Sequence, residues 1–240
     1  GLLKILPQHL LAGIMYRLAR NKWPALKNLI IKGVIKRYKV DLSEAESSSL
    51  DSYPSFNAFF TRALKPGVRA IDSAANSIAC PADGRVNRAG IIDNGQLIQA
   101  KGHEYGLLSL LGGDQSLAGE FMNGAYATVY LSPRDYHRVH MPVAGRLREM
   151  HFVPGKLFSV SEATTQLVPE LFARNERVIC IFDTAAGPMA VILVGAIFVG
   201  SMETVWEGEV RAPGDTPTIW RYRDNQAISI DKGEELGRFN

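Results

Sequence analysis

From about residue 70 to the end, short β-like stretches alternate with Gly and Asn turns. This rhythm restricts the chain more than any other feature, because strands of this kind must pair and cover one another's apolar faces. Tyr126, Thr128 and Tyr130 alternate with Ala127, Val129 and Leu131, a period of two. Strands are expected over Gly84–Ala89, Leu97–Ala100, Ala125–Leu131, Leu147–Phe152, Arg177–Phe182, Met189–Val194 and Ala196–Gly200. Helical insertions are few and are expected over Leu107–Leu111 and Ser161–Ala173.

The first forty residues follow a different period. Leu10, Leu11, Ile14, Met15 and Leu18 have helical spacing, as do Leu26, Leu29, Ile30 and Val34. Pro24 suits the first turn of the second helix. Residues 41–55 are Ser-rich and read as a loop. Ser55 then caps a short helix beginning at Phe56. The expected class is α+β: N-terminal amphipathic helices followed by a β-rich, sandwich- or barrel-like body. The expected division is a basic helical region at 1–50 and a catalytic body at 51–240.

Charge separates the same two parts. Lys4, Arg17, Arg20, Lys22, Lys27, Lys32, Lys36, Arg37 and Lys39 fall within residues 1–40, which hold no Asp or Glu. The remaining 200 residues carry 18 basic and 24 acidic groups. A basic head calls for an anionic partner, nucleic acid or membrane. No base-reading motif supports nucleic acid, so the expected partner is an anionic phospholipid surface. The alternative is an ordinary helical hairpin on its own core. No apolar run reaches the length needed to span a bilayer. The best, Pro188 to Met202, is broken by Gly195 and Gly200 and reads as buried strand. Cys80 and Cys180 sit beside apolar residues and are expected to be buried free thiols.

Two segments can carry chemistry. In Cys80-Pro81-Ala82-Asp83-Gly84-Arg85, Asp83 occupies a turn, where an Asp-Gly pair often serves only its own backbone. In Leu131-Ser132-Pro133-Arg134-Asp135-Tyr136-His137-Arg138-Val139-His140-Met141-Pro142, two histidines stand three apart. A helical turn would put both rings on one side; extended backbone would put them on opposite sides. H-x-x-H alone lacks the further ligands of a zinc site, and no metal is expected. A general acid and base is the better reading. Asp and His form two thirds of a Ser-His-Asp constellation, but no Gly-x-Ser-x-Gly elbow appears. Ser132 and Ser159 have no distinguishing context. His103, Phe158 and Ser159 are candidates to line a substrate site.

At these segments the sequence resembles the bacterial phosphatidylserine decarboxylases. The likeness runs through Phe56–Gly67, Pro81–Gly84, Ala100–His103, Tyr130–Pro142, Val153–Val160, Leu171–Arg177, Val194–Ala196 and Gly237–Phe239. It implies a proenzyme that cuts itself at a serine of a Leu-Gly-Ser motif, leaving a pyruvoyl group on a short α chain. It implies that a Schiff base to that pyruvoyl drives conversion of phosphatidylserine to phosphatidylethanolamine and CO2. It assigns Asp83 and His140 to activation of the serine and His137 to decarboxylation. This chain ends Gly237-Arg238-Phe239-Asn240, so the pyruvoyl is expected on a separate α chain and this chain is expected to be the β subunit. The resemblance further implies a homodimer of αβ units, peripheral on the cytoplasmic face of the bacterial inner membrane. A non-catalytic module that binds anionic lipid is the alternative.

Overall fold

The computed structural model describes residues 8–100, 103–197, 199, 201–211, 214–223 and 226–240. Lys4, Lys101, Gly102 and Gly200, used in the sequence argument, lie outside the described residues, as does the side chain of His9.

Two helices open the described chain, α1 (Gln8–Ala19) and α2 (Pro24–Tyr38), with Pro24 in the first turn of α2 as expected. Lys39 ends α2 in the left-handed conformation, its N–H bonded to the carbonyl of Ile35. The inner face of α2 buries Ile31 against Val40, Tyr53 and Phe59. That cluster draws residues from both sides of position 50. Residues 41–55 are therefore folded rather than a free loop: Ala45 bridges Leu64, and the Lys27 ammonium donates to the Leu50 carbonyl at 3.0 Å. The Ser-rich composition hid the two apolar anchors, Leu50 and Tyr53. Ser55 does cap the helix α3 (Phe56–Phe60), accepting the Ala58 N–H at 3.2 Å.

The body contains β1 (Arg85–Ile91), β2 (Gln96–Ala100), β3 (His103–Gly106), β4 (Ala125–Tyr130), β5 (Arg138–His140), β6 (Gly145–Val153), β7 (Arg177–Thr184) and β8 (Gly187–Val194). It continues with β9 (Met202–Thr204), β10 (Gly208–Val210), β11 (Thr218–Arg221), β12 (Ile228–Ile230) and β13 (Glu235–Phe239). All named pairings are antiparallel. One sheet has the order β11-β6-β7-β8, with β12 also on β6; a second has the order β10-β9-β13-β5. β1 pairs with β4, and β2 with β3. The class is α+β, with helices first and a β-rich body after.

β7 explains why two cores form. Its residues Arg177 to Phe182 are all buried. Alternate side chains leave opposite faces of a strand. Ile179 and Ile181 join one core with Leu107, Leu110, Leu117 and Phe172. Val178, Cys180 and Phe182 join another with Met150, Leu193 and Met202. Each such side chain contributes about 1.5–3 kcal/mol on burial, so β7 is the element the rest of the body assembles on.

Four expectations change. Cys180 is buried, and burial raises its thiol pKa, but Cys80 is exposed, because its segment is irregular rather than strand. The single helix expected at Ser161–Ala173 is two, Glu162–Thr165 and Leu171–Arg174, parted at Pro169 and by Glu170, whose φ is 53°. The strand expected at Ala196–Gly200 reduces to one bridge, Ala196 to Val199. The apolar run Pro188–Met202 is accordingly not one buried strand: β8 ends at Val194. Among the described residues no helix is long and apolar enough to cross a membrane.

Candidate active site

The turn Ser132–Asp135 prepares the first histidine. The Asp135 carboxylate accepts both the backbone N–H and the hydroxyl of Ser132, at 2.6 and 2.7 Å. The Ser132 carbonyl accepts the Asp135 N–H at 2.9 Å and also bonds Nε2 of His137 at 3.1 Å. A carbonyl only accepts, so Nε2 carries the proton and Nδ1 the lone pair. The ring stacks on Phe60 with centroids 3.9 Å apart and is 4% exposed. Nδ1 is buried and has no hydrogen-bond partner. Burial lowers the pKa of His137 to about 4, against the opposing bond to Ser132 and with help from the Arg62 charge. At neutral pH the ring is a neutral base with one free lone pair.

The backbone is extended here, since β5 begins at Arg138. The two histidines consequently occupy different surroundings, which settles the choice between one side and two. His140 donates from Nδ1 to the Gly233 carbonyl at 2.9 Å and accepts the Tyr136 hydroxyl at Nε2, also at 2.9 Å. Burial raises the Tyr136 pKa to about 12, so its hydroxyl stays protonated and remains the donor. Tyr136 also stacks on the His140 ring.

Asp83 is not bonded to His140. Its carboxylate takes two bonds from Arg69, at 3.0 and 2.5 Å, and Arg69 reaches on to Glu44 at 2.7 Å. The turn carrying Asp83 is nonetheless adjacent, because the His140 N–H donates to the Pro81 carbonyl at 2.8 Å. Tyr136 stands between them: it lines the same polar cleft of about 280 Å³ as Asp83, Arg62 and Arg69, and it holds His140. Sequence reasoning missed Tyr136. The signal was present in its position four residues before His140 inside the polar patch.

A second, larger and mainly apolar cavity measures about 500 Å³. His137, Val160, Phe172 and Phe239 line it, together with β4 and β8. Among the described residues, His137 is thus the histidine that reaches this cavity. His103, Phe158 and Ser159 do not line it. Phe158 is drawn into the core, where its N–H and carbonyl are clamped by the side chain of Asn175 at 3.0 and 2.9 Å. Ser159 accepts the Ser161 N–H, and cavity contact falls one residue later, at Val160. His103 lies at the start of β3, opposite Ala100. Among the described residues no three His, Cys, Asp or Glu side chains are grouped to hold a metal ion.

The last strand brings the chain's end to this centre. β13 pairs with β5, Glu235 opposite His140, and the Phe239 N–H donates to the His137 carbonyl at 3.0 Å.

Comparison with known proteins gives these residues a family. A family model described as phosphatidylserine decarboxylase matches residues 56–240, and a second, described as PSD, matches residues 2–39. The phosphatidylserine decarboxylase proenzyme of Methylococcus capsulatus is 56% identical over 237 residues, covering 98% of this chain and 82% of that protein. The proenzyme of the same name from Pseudomonas entomophila is 54% identical, covering 98% and 83%. That from Alcanivorax borkumensis is 55% identical over 236 residues, covering 98% and 81%. With matches of this length and identity, the chain belongs to the phosphatidylserine decarboxylase family.

Proposed function

We propose that this chain is the β subunit of a pyruvoyl-dependent phosphatidylserine decarboxylase, formed when a proenzyme cuts itself. The observation that carries the reading is the buried, unpartnered Nδ1 of His137 beside the apolar cavity and Phe239. A buried lone pair left unpaired costs about 1–3 kcal/mol, so its retention points to use. It also fits a pyruvoyl group carried on a separate α chain, because the site needs a proton acceptor and no second buried charge. The bound group supplies an electrophilic carbonyl that takes up the electron pair left by CO2. This chain's part is proton handling. Neutral Nδ1 takes the proton that the substrate ammonium must lose, keeps it from water, and returns it to the α-carbon. Ser132 and Phe60 hold the ring in the tautomer and plane this requires.

In maturation, His140 takes the proton of the serine hydroxyl and Asp83 stabilises the imidazolium that results. Tyr136, whose hydroxyl occupies Nε2 of His140, lines the cleft that holds Asp83.

The substrate stays in a bilayer, so the enzyme must reach one. Exposed Leu10, Ile14, Trp23 and Leu29 lie on α1 and α2 and at the link between them, with Arg17, Lys22, Lys32, Lys36, Arg37 and Lys39 also exposed. Lys27 and Arg20 are otherwise engaged, Lys27 buried and Arg20 bonded to Glu209. We assign the exposed set to peripheral binding at the cytoplasmic face of the bacterial inner membrane, in a homodimer of αβ units. Each basic group contributes about 1 kcal/mol at an anionic surface. Raising salt from about 0.1 M to about 0.5 M shortens the screening length about twofold, and is expected to weaken binding to anionic vesicles at least tenfold. Co-sedimentation measures this; binding indifferent to salt and to anionic lipid would make the helices core elements only.

The function itself is tested on everything that purifies with this chain. Intact mass is expected to show a small second chain, labelled by a carbonyl-trapping reagent. Lipid binding with no second chain and no carbonyl would leave the non-catalytic lipid-binding module.

A further inference from the structure

The end of α3 supports His137. Phe60 stacks on its ring. The two residues after Phe60 are tied to the histidine's own segment by reciprocal bonds. Arg62 donates from Nη2 to the Arg134 carbonyl at 3.0 Å, and Arg138 donates from Nε to the Thr61 carbonyl at 2.9 Å. One bond falls before His137 in the chain and one after it, so the stacked pair is clasped between them.

The two arginines differ in what else they do. Arg138 also donates to the Glu235 carboxylate at 2.8 Å. Arg62 is 5% exposed, and among the described residues it makes no ion pair. Its Nε and Nη1 are buried without a hydrogen-bond partner. Its other contact is the Phe59 ring, whose centroid lies 5.5 Å from the guanidinium carbon. Arg177 shows a buried arginine used as a clamp: its guanidinium donates to the carbonyls of Ser109, Leu110, Ala173 and Asn175. A buried guanidinium with two idle nitrogens is destabilising, and an apolar side chain would fill the same space without that penalty. What Arg62 adds beyond packing is its charge.

Little cancels that charge. The groups that face Arg62 are Tyr53, Asp41, Asp83 and Asp135. Tyr53 is bonded to the Ser47 carbonyl, and the three carboxylates to Ser43, Arg69 and Ser132. Burial is the main reason that His137 stays neutral; of the charges, Arg62 opposes its protonation and Asp135 favours it. Asp135 lies 3.6 Å from Arg134. From β5 and β13, Arg138 and Glu235 pair with each other. On the cavity side, Glu120 is bonded to Arg148.

We propose that Arg62 is a positioning residue for proton transfer by His137, clasping the support of the ring and keeping an uncancelled positive charge near it. The proposal rests on the reading of His137 given above. When Nδ1 takes the proton of the substrate ammonium, two positive charges face each other. Their repulsion makes the imidazolium a stronger acid. The Nδ1–H bond then breaks as the electron pair on the α-carbon forms the new C–H bond, and the ring returns to its neutral state.

The test is the pH profile of kcat/KM on the cut enzyme, in mixed micelles of one composition, for wild type, Arg62→Gln and Arg62→Lys. Gln can still donate a hydrogen bond but has no charge; Lys keeps the charge. In Arg62→Gln the acid limb, where His137 takes up a proton, is expected to move up by about one pH unit. Arg62→Lys is expected to keep the wild-type limb, whatever its effect on rate. Self-cleavage on a gel and a urea midpoint show that Arg62→Gln has folded; if it has not, Arg62→Met takes its place with the same shift expected. Lower rates with an unmoved limb would reduce Arg62 to a structural clasp and overturn the proposal. So would a limb that moves as far in Arg62→Lys as in the uncharged variant. Full conversion by His137→Gln would remove the histidine reading and this proposal together. An unmoved limb with His137→Gln inactive would remove this proposal alone.

Discussion

Replacing His137 by Gln in the proenzyme is expected to lower conversion of phosphatidylserine about 100- to 10,000-fold, the usual range for a lost general acid–base, while self-cleavage continues. The amide nitrogen of Gln can still donate to the Ser132 carbonyl, so the turn is kept. What disappears is Nδ1, a buried lone pair without a hydrogen-bond partner. Conversion in mixed micelles and cleavage on a gel read the two effects separately. Full conversion, or a block of cleavage in its place, would sink the assignment. A pH titration of stability checks that the variant acts through this ring. Burial lowers the His137 pKa from 6.5 to about 4. Between these values the unfolded chain binds a proton that the folded chain does not, so the contribution is complete above pH 6.5. It is lost as pH falls toward 4, by about 3 kcal/mol. Glu176 works in the opposite sense: burial raises its pKa from 4.5 to about 7, so its contribution is largest at low pH and is lost as pH rises through 7. The native protein should show the two slopes partly cancelling between pH 4.5 and 6.5. The His137→Gln variant should show the Glu176 slope alone, with stability falling as pH rises.

How much of this could be read from sequence depended on the range of the interaction. Local signals were legible: Pro24 at a helix start, Ser55 as a cap, the period-two run that became β4. The two histidines were legible as chemistry because polar residues crowd around them. Their different surroundings were not, since these depend on Phe60, seventy-seven residues before His137, and Gly233, ninety-three after His140. Nor was the Arg69 clamp on Asp83, because nothing local marks one arginine among many as a partner. The candidate lining residues failed to reach the cavity for the same reason. Asn175 turns Phe158 inward from a position seventeen residues away, and no pattern near Phe158 records it. Arg177–Phe182 read only as a strand, and its register between two cores shows why all six of these residues are buried.

Asp83→Asn is expected to leave most of the proenzyme uncut. In a triad where the carboxylate touches the imidazole, this change costs about 10⁴ in rate. Here the Gly233 carbonyl already fixes the His140 tautomer, and the Asp83 carboxylate sits on Arg69. Asp83 is therefore not needed to orient the ring. Its effect is on charge: with the carboxylate gone, Arg69 is less neutralised next to the cleft where an imidazolium has to form. The expected loss is smaller than in a touching triad, about 100- to 1,000-fold in cleavage rate. Tyr136→Phe separates the two ways the carboxylate could act. It removes the hydroxyl that occupies Nε2 while leaving the stacked ring, so a serine hydroxyl meets a free lone pair. If Asp83 acts through that hydroxyl, Tyr136→Phe slows cutting and makes Asp83→Asn nearly silent. If Asp83 acts by field alone, the two changes multiply. Normal cutting in Asp83→Asn, with unchanged urea midpoint, would remove Asp83 from maturation and reduce it to the Arg69 and Glu44 bridge that the fold already shows.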